Sequence, residues 1–277
     1  MKKIIGIILL SLVFGTVLAG KSETVMVSSS GITLPIIMYH SIIPEDDGRS
    51  DYIISEKKFE EDIAYLKIKG YSPINCMDLI KYTNGDGNLP ENPVIITFDD
   101  GMYNNFVYGV PILQKYGYKA VFSLVGSYTD EYTENGILNP EYSYIPWNEV
   151  SRLSTSPYIE FANHSYNLHT VKQRYGPQKK SGESFREYLE LFSGDTQKMQ
   201  ELFFKNCAYS PVIYTYPFGG FCAESERILK KNGYLVTLSC IEGMNKITKN
   251  PDCLYLLKRY NRSGKLSTQE FFNKIGL

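Results

Sequence analysis

The sequence is short of several features that would place it in a common class at once. Its 277 residues include one tryptophan and three histidines, and Lys plus Arg (29) nearly balance Asp plus Glu (30). This balance excludes the basic surface typical of nucleic-acid-binding proteins and the polybasic patch of membrane-surface proteins. With 43% apolar and 21% charged residues, the chain is neither disordered nor a coiled coil.

Cysteine is also scarce. Five cysteines at irregular spacings are too few for a disulfide scaffold or a zinc knuckle. Because the number is odd, at least one thiol has no partner within the chain. Cys240 and Cys253 flank a short polar loop and are the favoured pair for a disulfide, while buried free thiols are an equally good interpretation.

The amino terminus has the pattern of a bacterial secretory signal: two lysines, a 16-residue apolar run over 4–19, and small residues at its end. We expect a signal peptide over 1–20, a linker over 21–33 and a folded domain over 34–277, in a secreted or cell-surface protein. An uncleaved anchor is the alternative, although a spanning helix needs about 20 apolar residues. Lys21 stands where a lipidated cysteine would be required, which excludes lipidation there.

From residue 34 onward, short apolar runs alternate with amphipathic stretches, without repeats or breaks in composition. This pattern indicates a single α/β domain. The predicted strands cover 34–39, 94–98, 120–125, 158–162, 212–216, 234–239 and 254–259. The predicted helices cover 55–70, 103–116, 147–153, 184–206 with a break at Gly194, 223–232, and a last segment capped by Ser267. In parallel barrels the chemistry lies at the carboxyl ends of the strands, so polar residues there are candidates for function.

The first such cluster is Asp99-Asp100-Gly101, which follows the apolar run VIITF. Two adjacent acids at the end of a strand project in different directions. One can therefore bind a metal while the other stays free as a base. An ordinary Asp-Asp-Gly turn is the alternative interpretation.

The second cluster is HSYNLH, which places His164 and His169 directly after a predicted strand. Neutral imidazoles near a carboxylate are a common way to hold a divalent metal. At a spacing of five residues the two rings would lie on different faces of a helix, so we predict a loop or bulged turn. Residues 165–185 are expected to form an exposed insertion over the rim of the site.

The third cluster is YPFGG, from Tyr216 to Gly220, again after a predicted strand. Pro217 fixes the local backbone, and the glycines allow backbone N–H groups to approach a ligand. By itself this segment indicates only a turn.

Together, TFDDG, HSYNLH and YPFG resemble the polysaccharide deacetylase (NodB-homology) family, carbohydrate esterase family four. The MYH segment ending at His40 is similar to the branch that contains poly-N-acetylglucosamine deacetylases. The resemblance implies a deformed (β/α) barrel that holds one divalent metal ion, most often zinc, with cobalt, nickel or iron as alternatives. It also implies that the metal ligands are Asp100, His164 and His169.

The resemblance further implies a role for each remaining polar group. Asp99 would act as general base on the attacking water, and His40 would protonate the departing amine. The Phe218 N–H would contact the oxyanion. Many members carry an arginine at the position of Thr215, and we expect Arg259 to orient Asp99 instead. Substrate contacts are expected from Tyr216, Pro217 and Trp147.

Two departures from the family pattern leave alternatives open. The histidine spacing is one residue longer than usual, and the late Leu-x-His motif is absent. We predict a monomeric, metal-dependent de-N-acetylase acting on an N-acetylated polysaccharide, either poly-N-acetylglucosamine or peptidoglycan. The alternatives are an O-acetyl esterase of the xylan type, a non-catalytic glycan-binding protein on a decayed deacetylase fold, and a structural metal site in an unrelated barrel.

Overall fold

The computed structural model describes residues 31–45, 48 and 50–277, and residues 31–277 form one compact unit. The predicted signal peptide over 1–20 and most of the predicted linker lie outside the described residues. The first strand begins at Ile32, so the folded domain starts just inside the stretch expected to be a linker.

The elements of the described residues alternate between strands and helices, as the pattern of apolar runs predicts. The strands are β1 (Ile32–Leu34), β2 (Ile36–Tyr39), β3 (Ser41–Ile43), β4 (Ile53–Ser55), β5 (Ser72–Pro73), β6 (Pro93–Phe98), β7 (Ala120–Leu124), β8 (Ile159–Asn163), β9 (Ile213–Thr215), β10 (Val236–Leu238), β11 (Asn245–Ile247) and β12 (Tyr260–Asn261). The α-helices are α1 (Glu56–Ile68), α2 (Cys76–Thr83), α3 (Val110–Tyr116), α4 (Gly126–Asn135), α5 (Trp147–Leu153), α6 (Phe185–Cys207), α7 (Ala223–Lys231) and α8 (Thr268–Ile275). A π-helix (Asn105–Gly109) precedes α3, and 3-10 turns cover Pro217–Gly219 and Pro251–Leu254.

The central sheet is parallel and curls into a half-barrel, with the strand order β10-β9-β8-β7-β6-β2-β12 and β5 alongside the start of β6. Every residue of β6, β7 and β8 is buried, as expected for parallel strands covered on both faces. This arrangement confirms the predicted single-domain α/β fold of the deformed-barrel type. It brings the carboxyl ends of β2, β6, β8 and β9 to one edge.

The segment over 257–261 joins the two margins of this sheet. Leu257 forms a parallel bridge with Leu238 of β10, and Tyr260 pairs with Ile37 of β2. The sequence instead predicts a longer strand over 254–259. A 3-10 turn and a positive φ at Leu256 occupy the first part of that range, so only its end reaches the sheet.

Helix α6 runs unbroken for 23 residues through Gly194, so the predicted break is wrong. A glycine inside a helix costs about 1 kcal/mol relative to alanine. Packing of buried α6 side chains, among them Phe192, Met199 and Phe203, offsets that cost. In the part of the chain that the structure describes, no helix has the length and apolar character needed to cross a bilayer.

Candidate active site

Three polar side chains from two strand ends meet at the carboxyl edge of the sheet. The Asp100 carboxylate, which follows β6, lies 3.4 Å from His164 Nε2 and 3.1 Å from His169 Nε2. The two histidines follow β8, and one ligand atom from each of the three residues lies within 4.8 Å of the others. We call this set the Asp-His-His triad.

The loop between the two histidines folds back on itself, which brings His169 to the same point as His164 despite the long spacing. Ser165 has a φ of 71°, and its amide donates to Asn163 Oδ1 at 2.7 Å. The Asp195 carboxylate of α6 accepts hydrogen bonds from the amides of Tyr166 and Asn167, both at 2.8 Å. The predicted loop is therefore confirmed, and the extra residue is accommodated within it.

The triad has the donor set and spacing of a divalent metal site. His164 Nδ1 lies 2.8 Å from the Thr215 carbonyl oxygen, which can only accept. Nδ1 therefore carries a proton, which leaves Nε2, on the side of Asp100, as the nitrogen that can bind a metal ion. Ligands at 2.0–2.2 Å from a tetrahedral zinc ion lie about 3.3 Å apart, close to the distances found here. His169 Nδ1 has Tyr128 Oη at 3.4 Å, a partner of the kind that orients metal-binding imidazoles.

Asp99, which is not part of the triad, is held in place by a buried arginine. Arg259 Nη1 donates to Asp99 Oδ1 at 2.7 Å and Nη2 donates to Oδ2 at 2.8 Å, and both side chains are buried. Burial acts to raise the pKa of Asp99, but Arg259 and His164 outweigh it, so the pKa is lowered from 3.8. The carboxylate is therefore ionised at neutral pH. The expected pairing with Arg259 is present.

His40 lies at the end of β2 and lines the same cleft as Asp99 and the triad. Its Nδ1 is buried and has no hydrogen-bond partner among the described residues. Burial lowers the pKa of His40 from 6.5, while Asp99 and Asp100 act in the opposite direction. The imidazole is thus neutral in the free site.

Asn105, which the sequence analysis missed, supports the backbone that carries His40. Its Nδ2 donates to the His40 carbonyl oxygen at 2.6 Å, and its Oδ1 accepts from the Ile42 amide at 3.0 Å. Asn105 is fully buried and opens the π-helix, a feature often found at functional sites. Nothing in its sequence position, four residues after Gly101, distinguishes it from an ordinary helical residue.

The Phe218 backbone adopts a φ of 56°, a left-handed conformation that is uncommon for a bulky residue. In the part of the chain that the structure describes, its amide has no acceptor, whereas its carbonyl oxygen accepts from Tyr175 Oη at 3.1 Å. The Phe218 ring lies 4.4 Å from the His169 ring. A free N–H is thus held beside the triad.

The structure does not support the three residues expected to contact substrate. Trp147 is 3% exposed, donates through Nε1 to Asp130 at 2.7 Å and packs against Phe203. Tyr216 is fully buried; its hydroxyl donates to Glu226 at 2.7 Å and lies 3.1 Å from Ser225 Oγ, and Pro217 is buried within the turn. None of these three side chains lines the cleft, because they pack into the core behind it.

Of the two interpretations left open for Cys240 and Cys253, the structure shows free thiols. All five cysteines are free, with Cys240 Sγ 3.8 Å from Arg259 Nη2 at the edge of the cleft. Cys253 Sγ instead lies 3.8 Å from the Thr248 carbonyl oxygen. The two thiols do not meet across the loop between them, because that loop contains strand β11, which pairs with β1.

The segment over 165–185 is less exposed than expected. Arg174 is 8% exposed and forms two hydrogen bonds with the Glu183 carboxylate, at 2.9 and 2.5 Å. A Cβ on Gly176 would come within 2.6 Å of the Pro217 carbonyl oxygen, so the two backbones are in close contact. The segment packs onto the 217–220 turn and supports it.

A family model for polysaccharide deacetylases matches residues 86–237, more than half of the chain. The chain belongs to the polysaccharide deacetylase family. The match includes Asp99, the triad and Phe218, whereas His40 and Arg259 lie outside it.

Two curated relatives extend the similarity beyond this region. The poly-β-1,6-N-acetyl-D-glucosamine N-deacetylase of Escherichia coli (strain K12) is 26% identical over 259 residues, which cover 86% of this chain. The enzyme of the same name from Staphylococcus epidermidis is 22% identical, with 72% of this chain and 65% of the relative covered. The chain spans only 38% of the length of the Escherichia coli relative.

Solved structures of deacetylases share the fold. The de-N-acetylase of Aggregatibacter actinomycetemcomitans has a TM-score of 0.72 at 23% identity, with 87% of this chain and 99% of the other covered. IcaB from Ammonifex degensii has a TM-score of 0.67 at 20% identity, with 83% and 92% covered. At these identities the likeness establishes the architecture of the chain.

Proposed function

We propose that this chain is a metal-dependent hydrolase that removes N-acetyl groups from an aminosugar polymer of the poly-N-acetylglucosamine type. One observation carries the proposal: an ionised Asp99, fixed by Arg259, lies next to an Asp-His-His triad in a cleft that also holds His40. The names of the curated relatives support the choice of polymer. A decayed site would be expected to lack one of these residues, whereas Asp99, Asp100, His164 and His169 are all present in the sequence.

The triad residues Asp100, His164 and His169 would hold the divalent ion, with zinc favoured by two imidazoles and one carboxylate. Such an ion polarises the acetyl carbonyl and stabilises negative charge on its oxygen. The chain itself orients these ligands, because Thr215 fixes the tautomer of His164 and the Asp195 contacts fix the loop that carries His169.

The remaining steps fall to residues of the chain. Asp99 would accept a proton from the attacking water, which it can do because it is ionised at neutral pH. The free N–H of Phe218 would donate a hydrogen bond to the developing oxyanion. His40, which is neutral in the free site, would first bind a proton from solvent and then pass it to the amine nitrogen as the C–N bond breaks. Asp99 would release to solvent the proton that it took from the water, so that the products are acetate and a free amino sugar.

We also propose that the protein is secreted, on the strength of the basic and apolar amino-terminal sequence. Comparison of the mature amino terminus in culture medium and cell membranes tests this. An intact terminus found only in the membrane fraction would show an anchored protein instead.

The test of the proposed activity is acetate release from β-1,6-linked N-acetylglucosamine oligomers, with peptidoglycan and acetylated xylan in parallel. We expect release to stop with a chelator and to return with zinc or cobalt. Asp99→Asn should lower kcat by about 100- to 10,000-fold, the usual contribution of a general base, with metal content unchanged.

The matched control is Asp252→Asn, an exposed aspartate paired with Lys230 at the surface, which should leave the rate unaltered. An unchanged kcat in Asp99→Asn would exclude its assignment as base. Release that persists in chelator would exclude metal dependence.

A further inference from the structure

The cleft extends well beyond the triad. It has a volume of about 1060 Å³ and reaches from Tyr52 and Ile53 on one side to Tyr175 and Phe218 on the other. Pockets of roughly 300–1,000 Å³ hold whole drug-sized ligands, so a single N-acetylhexosamine would leave much of this cleft unfilled.

Two tyrosine rings in the cleft are open to solvent. Tyr52 is 57% exposed and Tyr175 is 53% exposed. The Tyr52 ring lies 4.8 Å from the ring of His40, and the Tyr175 ring lies 6.0 Å from that of Phe218. Each ring is therefore next to a proposed catalytic residue. Exposed aromatic rings in a cleft are apolar surface on which a ligand can pack.

The two rings belong to opposite sides of the site. The Tyr52 carbonyl oxygen accepts from the Ser41 amide just after β2, whereas Tyr175 covers the turn after β9. Strands β6, β7 and β8 separate β2 from β9 in the sheet. The four spacings between neighbouring strands from β2 to β9 add up to about 19 Å along a flat sheet, and the curl of the sheet shortens the direct distance. A ligand that contacts both rings must be longer than one sugar.

The charges in the cleft restrict which glycan fits. Glu45 and Glu141 line it together with Glu242, which pairs with Lys274 at 3.7 Å, and no lysine or arginine is among the described lining residues. Negative potential repels glycans that carry carboxylates or phosphates and attracts those that carry ammonium groups.

We propose that Tyr52 and Tyr175 stack on the sugars that flank the residue being deacetylated, and that the cleft takes a neutral or amino-bearing hexosamine chain. The proposal rests on the proposed function for the site between the rings. The apolar C–H face of a pyranose packs on each ring, and the acetyl group of the central sugar reaches the triad.

Steady-state kinetics on methyl N-acetylglucosaminide, a single sugar, and on β-1,6-linked N-acetylglucosamine pentamers test this. Tyr52→Ala and Tyr175→Ala should each raise KM for the pentamer by about 3- to 10-fold, the range of an aromatic contact, and leave KM for the single sugar nearly unchanged. Tyr52→Phe and Tyr175→Phe keep the rings and should keep the pentamer KM. Tyr175→Phe also loses the hydrogen bond from the Tyr175 hydroxyl to the Phe218 carbonyl oxygen. A fall in the kcat of this variant without a rise in its KM would show that the hydroxyl positions Phe218, whereas stacking is measured by KM.

Phe204→Ala is the control, because Phe204 is 67% exposed on α6 and does not line the cleft. Equal effects on the KM of the single sugar and of the pentamer, or no effect of either alanine variant on the pentamer, would overturn the proposal. Dissociation constants for the pentamer, measured by calorimetry, test stacking even if the wild-type chain releases no acetate. Tighter binding of a tetrasaccharide containing N-acetylmuramic acid than of the neutral pentamer would overturn the charge argument.

Discussion

At the scale of single residues, the site depends on an arginine supplied from the far end of the sequence. Arg259 contacts both oxygens of Asp99, and its Nε donates to the Ser239 carbonyl oxygen at 2.8 Å. A planar guanidinium can hold a carboxylate in this two-point manner, and an ammonium cannot. Thr215 in turn provides the carbonyl that orients His164.

Arg259→Lys keeps the positive charge and removes the two-point contact. We expect kcat to fall by about 10- to 100-fold with little change in KM, since a hydrogen bond to a charged group contributes about 1.5–3 kcal/mol. The paired control is Arg262→Lys, which alters a second buried pair, with Asp62, outside the cleft. It should lower the melting temperature without lowering the kcat of the folded enzyme. Equal losses of kcat in both variants would show that Arg259 acts only through stability.

At the scale of elements, strand β8 is tied to helix α2 by a buried carboxyl group. Glu160 accepts hydrogen bonds from the amides of Cys76 at 2.8 Å and Met77 at 3.0 Å, in the first turn of α2. Burial raises the pKa of Glu160 from 4.5 to about 7, although both hydrogen bonds act to lower it. The folded chain therefore keeps this proton to a higher pH than the unfolded chain does.

It follows that the contribution of Glu160 to the free energy of unfolding falls as pH rises from 4.5 to about 7. Glu160→Gln cannot ionise, so its melting temperature should rise relative to wild type between pH 5 and pH 8. The difference between the two pKa values corresponds to at most about 3 kcal/mol in the free energy of unfolding. Thermal denaturation at both pH values measures the difference, with the exposed Glu190→Gln as control. A difference that does not vary with pH would contradict the raised pKa.

Much of the fold could be predicted because buried parallel strands appear in the sequence as short apolar runs. The residues after those runs then converge at one edge, which is why the sequence could place Asp100 and His164 together. The burial of Trp147 and the packing of Arg174 could not be predicted in this way. Both depend on contacts with elements distant in sequence, such as Phe203 for the Trp147 ring.

At the scale of the whole molecule, the triad links the segments after β6 and β8, so an ion bound there should stabilise the folded chain. Zinc at about 100 times its dissociation constant stabilises a protein by about 2.7 kcal/mol, which is roughly 5–11 °C in melting temperature for a large domain. Thermal denaturation of the chelated and reloaded protein measures this shift. Asp100→Asn should abolish most of it, and Asp99→Asn should retain it. An equal shift in Asp100→Asn would place the ion elsewhere.

The segment over 257–261, which joins the margins of the sheet, is also among the last parts of the chain to be synthesised. A ribosome makes the triad, the base and His40 well before it makes Arg259. Until that residue is added, Asp99 has no counter-charge and β10 and β2 have no strand between them. We therefore expect a growing or prematurely terminated polypeptide that ends before residue 259 to carry the triad and His40 while Asp99 still lacks the guanidinium that orients it.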